Sequence, residues 1–388
     1  MLSLLSLLLI AQVGQSPVRI PERDWKPVMN SRSGDPLNLS HRTFASFSPR
    51  GDVVVVDDSR QRVVIVDGRT GAVRRLGRDG SGPGEFRHIV AFGWRADTLW
   101  AGDDRTARLT FFPGSDPKRV TTTPFLPVSN GIEFMSQPEG LVSDDRVVGY
   151  LLPTRARRLG EVPSPIPMVL TGRSPTGTWD TITTLYSDNR SYTLPTGNGS
   201  IKGAQPMSDA DLWSVSRNGR YLATLDRNDK RLSRDKTAIL VVHHLPDRTH
   251  RRTMIPIVPE RITVQEIDRL VTNRVESFNE AIGRELMSTA ALRKVLFVPF
   301  WRSPFVDLVV EDDGRILLRR NDWAGTRASY VMLDDQGRIQ KEFEIDANIQ
   351  IRSFQANRLL GVRENDDGSM DLVVARVPGL PTEASGTR

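Results

Sequence analysis

The side chains able to do chemistry are few in kind: five histidines, 47 acidic residues and no cysteine in 388 positions. Without cysteine there is no disulfide, no thiolate metal site and no lipid-modified N-terminal cysteine. The stretch RDGSGPGEF, Arg78–Phe86, suggests a phosphate loop, with Gly80, Gly82 and Gly84 around Pro83. A Walker-type loop needs Lys and then Ser or Thr after its last glycine, with a helix behind it. Here Glu85 and Phe86 follow, the carboxylate would repel phosphate, and RHIVAFGW reads as a strand. The G-x-G-x-x-G spacing of a dinucleotide site is absent too. These glycines belong to a turn.

His243 and His244 end the apolar run AILVVHHLP and point to opposite faces of an extended strand, so they do not grip one ion together. His41 and His250 sit in polar, turn-like contexts. No Ser-His-Asp order and no G-x-S-x-G elbow stands out. The pairs Asp57–Asp58, Asp103–Asp104, Asp312–Asp313 and Asp366–Asp367 look calcium-like, but none has the EF-hand layout, and Asp is common in β-turns. His88, Glu139 and Asp211 remain. One imidazole and two carboxylates make a divalent-ion site or an acid–base set only where the fold carries them together.

The elements that would have to do so are strands. Short apolar runs punctuated by Gly, Pro, Asp and Asn predict strands and turns over helices. In SPRGDVVVVDDSRQRVVIVDGRTGAVRRLG, strands are expected over Val53–Val56, Val63–Val66 and Ala72–Leu76, the four-residue runs covered on both faces. Sliding the sequence by one repeat lays DDSRQRVVIV (57–66) on DDRTARLTFF (103–112), matching Asp57, Asp58 and Arg62 to Asp103, Asp104 and Arg108. A turn leading into an apolar strand begins at Gly51, Asp97, Asp144, Asn218, Asp313 and Asn357. Six such four-stranded units predict an all-β fold, a six-bladed β-propeller. Aligning the blades places Thr43, His88, Glu139, Asp211, Val306 and Gln350 where the inner strands begin. His88, Glu139 and Asp211 thereby become candidate ligand-binding residues at the channel mouth.

Two intervals are longer than a blade. Residues 151–206, rich in Pro, Ser, Thr and Gly, are expected to form extended loops around the third blade. PERITVQEIDRLVTNRVESFNEAIGREL opens a helical insertion over about 260–295. Thr263 and Glu266 fit a capping box there, and Ile267, Leu270, Val271, Val275, Phe278 and Ile282 form one apolar stripe. A second helix is expected from Ser288 to Val295. Residues 17–35 are expected to supply the outer strand of the last blade and so close the ring. This makes 17–380 one propeller domain and 381–388 a flexible tail. The seven tryptophans are expected to wedge between blades.

LGRDGSGPGEF (76–86) resembles the junction between blades in NHL-type repeats, and VVDDSRQRVVIVD resembles the Asp…Arg-Val-x-Val core of that repeat. DGRILLRRNDWAGTRASYVMLDDQGRI, in the fifth unit, is similar to bacterial six-bladed, TolB-like propellers more broadly. The resemblance implies the fold across the chain. It also implies an alternative activity, because some six-bladed propellers are metal-dependent lactonases or lyases holding a divalent cation such as calcium or zinc in the channel.

The chain carries a net charge of +6, but its 53 basic residues include only seven lysines and lie scattered, without the continuous stripe of a nucleic-acid binder. Leu2–Ile10 is apolar and shorter than the roughly 20 residues that cross a bilayer. It suits an export signal over residues 1–16, which predicts a periplasmic or extracellular protein of bacterial type. The leading expectation is a monomeric binding or scaffolding module for a protein or a cell-envelope carbohydrate, acting through its loops and channel mouth. The metal-dependent hydrolase or lyase is the alternative.

Overall fold

The computed structural model describes residues 17–30, 37, 39–40, 43–114, 116, 118–124, 133–135, 138–142, 146–153, 164–172, 179–188, 190–196, 199–322 and 325–381. The expected export signal, His41, Trp323 and the last seven residues of the tail lie outside them. Six antiparallel blades are present. Their inner strands are Ala45–Phe47, Ile89–Arg95, a strand in two pieces (Glu133–Met135 and Gly140–Leu141), Leu212–Val215, Phe305–Val310 and Ile349–Gln355. Lys26–Asn30 pairs antiparallel with Met370–Arg376 and completes blade 6, as expected. The strand Val18–Arg19 adds a further, parallel pairing on the outer edge of blade 5.

Burial explains the valine-rich runs. Every residue of Val53–Asp57 is buried, because a blade is covered on both faces by its neighbours. Six apolar clusters fill the six seams. The last, joining Leu360, Val362 and Leu372 of blade 6 to Phe47, Val55 and Val64 of blade 1, closes the ring. Trp25, Trp94 and Trp100 are wedged into three of these seams, and Trp179 and Trp213 pack at the edges of two.

The helical insertion is present as Val264–Ile282 and Thr289–Val295. Thr263 and Glu266 form the full capping box, and Gly283 ends the long helix in the left-handed conformation that glycine tolerates best. Its apolar stripe is not laid against the ring. Val271 and Val275, with Met287 and Leu292, pack on Tyr192 and Leu194 of a hairpin, Ser191–Thr196 with Gly199–Ala204. That hairpin lies inside the stretch expected to be extended loops. A further helix, Asp229–Asp235, buries only Leu232; seven mostly polar residues give no apolar period to read.

Candidate functional site

The inner strands end on one face of the ring, here the lower face, and begin on the upper. A cavity of about 200 Å³ lies in the channel, lined by blades 1, 4, 5 and 6, from Thr43–Ser46 round to Asp307–Glu311 and Ile351–Ser353. Asp307 reaches it where alternation from Val306 would not predict it. The register skips between Phe305 and Asp307, and this bulge turns Val306 outward. Val306 instead faces a separate cavity of about 180 Å³ under the insertion, beside Gln205, Arg227 and Ile262. A second bulge, between Ile351 and Ser353, accompanies Arg352, whose guanidinium donates to Gln350 Oε1 at 2.9 Å. Burial among protein raises the Asp307 carboxyl's pKa, against the opposing charge of Arg352 and the amide of Leu308.

Arg217 crosses the channel. Its carbonyl accepts from Trp94 N of blade 2 at 2.7 Å, its guanidinium stacks 4.6 Å from the Phe92 ring, and Nη1 donates to Phe92 O at 3.3 Å. Burial lowers its pKa, while the charges of Glu311, Asp312 and Glu139 act the other way. Beside it, Glu311 Oε1 accepts Ser353 Oγ at 2.8 Å and Phe354 N at 2.6 Å. Ser353 Oγ in turn meets Ser46 Oγ at 3.3 Å, and Asp312 takes Asn218 N at 2.8 Å. A polar girdle thus ties blades 1, 6, 5 and 4 together, and Arg217 extends it to blade 2. Burial, with Asp312 next, pushes Glu311 up to about 8; burial pushes Asp312 up to about 6.

Below this girdle the channel widens into the lower mouth, a cavity of about 450 Å³. Phe47, Pro49, Trp94, Leu141 and Phe354 make its apolar wall. Glu311, Asp312 and Asp313 line it on the acidic side, and two exposed basic residues line it too, Arg95 at the end of the blade 2 inner strand and Arg220 in the turn after the blade 4 inner strand. All of these come from the last residues of inner strands or from the turns after them, which is why one cavity collects them.

The three residues singled out by sequence have separate settings. His88 precedes the blade 2 inner strand, half-exposed, with Nδ1 2.8 Å from Asp104 Oδ1. Asp211 precedes the blade 4 inner strand and accepts Tyr186 N at 2.9 Å. Burial pushes it up to about 7, and its Oδ1 is buried without a hydrogen bond. Glu139 stands near the lower end of its strand, since that strand begins at Glu133 and Gly140 pairs with Val148. Among the described residues no three His, Asp or Glu side chains gather closely enough to hold a metal ion. The histidine pair behaves as alternation predicts: His243 faces His250 across the strands at 5.6 Å, and His244 Nδ1 meets Asp247 at 2.8 Å. Arg217, Glu311 and Asp307 were not singled out. The nearest signal was the acidic pair Asp312–Asp313.

The glycine-rich turn is architectural. Glu85 takes the place a phosphate would need, accepting Gly82 N at 2.7 Å and Arg78 Nη2 at 2.7 Å. Arg108 pins the carbonyls of Ser81, Gly82 and Glu85 from the next blade. A Cβ on Gly77 would meet the buried Phe86 ring at 2.5 Å, so glycine is required for the crossover.

No protein-family model and no curated protein matches the sequence. Among solved structures, the chain is similar to a PQQ-bound aldose sugar dehydrogenase from Streptomyces coelicolor, at 10% identity over 90% of this chain and 97% of that one, TM-score 0.36. It is also similar to a chain of a nidogen/laminin complex, at 11% identity over 78% and 79%, TM-score 0.34. The β-propeller domain of the trilobed protease from Pyrococcus furiosus matches at 7% identity over 90% and 85%, TM-score 0.32. No helix among the described residues is long and apolar enough to cross a membrane.

Proposed function

We propose that this six-bladed propeller is an exported binding module whose ligand seats in the lower mouth. The observation that carries the reading is the mouth itself. Its volume of about 450 Å³ falls within the roughly 300–1,000 Å³ usual for ligand sites, and its apolar wall surrounds a few polar groups that come together. Arg217 and the girdle support the wall from behind, so the site rests on ring geometry rather than on mobile loops. The apolar run Leu2–Ile10 supports export, and the sequence of the first blade junction supports kinship with NHL-type repeats.

The test is selection of a random peptide library on the folded protein, followed by rebinding to an Arg95→Glu/Arg220→Glu double variant. Both side chains are exposed, so the fold should be unaffected. Binding should weaken by about tenfold or more, roughly 1.4 kcal/mol. Unchanged binding would place the site elsewhere.

A further inference from the structure

The charges of the lower mouth have an order that names a ligand class. Glu311 keeps only 9% of its surface exposed and lines both the channel cavity and the mouth. Both of its side-chain hydrogen bonds fall on Oε1. Among the described residues Oε2 takes none, which leaves it open toward the cavities that Glu311 lines. Asp312, the next residue, lines the same cavity, and each of these carboxyls lies in a desolvated setting that a cation would relieve. The apolar wall of Phe47, Trp94, Leu141 and Phe354 borders this acidic side. At the exposed rim stand Arg95, the last residue of its strand, and Arg220, in a turn, both of the opposite sign.

We infer that the mouth binds an ω-amino carboxylate, with the ammonium on Glu311 and Asp312, the alkyl stem on the aromatic wall, and the carboxylate among the rim arginines. The inference rests on the mouth-binding reading and deepens it. A free ω-amino acid and a C-terminal lysine of a polypeptide share this chemistry. A simple cation would satisfy the inner end only, and a fatty acid the rim only.

Titration calorimetry with 6-aminohexanoate tests it, with hexylamine and hexanoate as half-ligands. Each half-ligand should bind about tenfold or more weaker than the whole. Glu311→Gln is the decisive variant, because its amide oxygen can still accept from Ser353 and Phe354 while an NH2 donor replaces Oε2. It should melt near the parent and lose about tenfold or more in affinity. A peptide ending in lysine with a free carboxylate, compared with its amidated form, assigns the source. Binding by either source supports the inference. Failure of both, or equal binding by hexylamine, overturns it. If library-selected peptides still require Arg95 and Arg220 after that failure, only the ligand class falls; if they do not, the mouth reading falls with it.

Discussion

Asp211, in the upper half of the ring, has one carboxylate oxygen bonded to Tyr186 N and the other buried without a partner. Burial first of all pushes its carboxyl up to about 7, from 3.8 for the ordinary group. A raised carboxyl favours the folded state below the ordinary value, and that contribution is lost as pH rises from about 4 through 7. Asp211→Asn keeps an oxygen for Tyr186 and removes the charge. Melts should show the variant more stable than the parent at pH 8, by an amount on the order of 1 kcal/mol or more, and not at pH 4.5. A difference equal at both pH values would contradict the burial account. Glu311 and Asp312 share the sign, and His243, held down to about 4 by burial, has the opposite one. All three remain in both proteins, so the comparison isolates Asp211.

The helices and the hairpin are two insertions sharing one small core, and each is pinched off at its base. Arg302 N donates to Glu260 O at 2.7 Å and Arg261 bridges Trp301; Gln205 N donates to Arg190 O at 2.9 Å. Residues 262–300 can therefore be replaced by a short turn. Alone, that deletion uncovers Tyr192 and Leu194, and the protein should bind an apolar dye and aggregate. Removing 191–204 as well should restore a soluble ring with a cooperative melt. A ring that tolerates the first deletion as well as the second would contradict the shared core. The capping box, the helical stripe, the doubly buried valines and the closing strand were legible because each is a local pattern with its own period. The hairpin's cover was not, since the pairing of Tyr192 with Val271 spans distant chain segments. Nor was Asp307: a bulge moves a side chain by one position, and periodicity carries no trace of it.

At the scale of the whole molecule, six seams and a polar girdle make a closed ring, and closure gives its two faces different chemistry. The upper face carries the insertions and the separate settings of His88 and Asp211. The lower face gathers inner-strand ends into an apolar mouth with charge of both signs. Sequence alignment of the blades pointed to the upper rim, because turn-to-turn matching locates strand beginnings more readily than the depth at which Arg217 and Glu311 meet. The most direct test of the account is hydrogen exchange with a library-selected peptide bound. Protection is predicted in the lower turns, at Ser48–Asp52, Arg95–Asp97, Arg217–Arg220, Asp312–Gly314 and Gln355–Asn357. Protection confined to Gln205–Ser208 and the helices of the insertion would place binding on the upper face and contradict it.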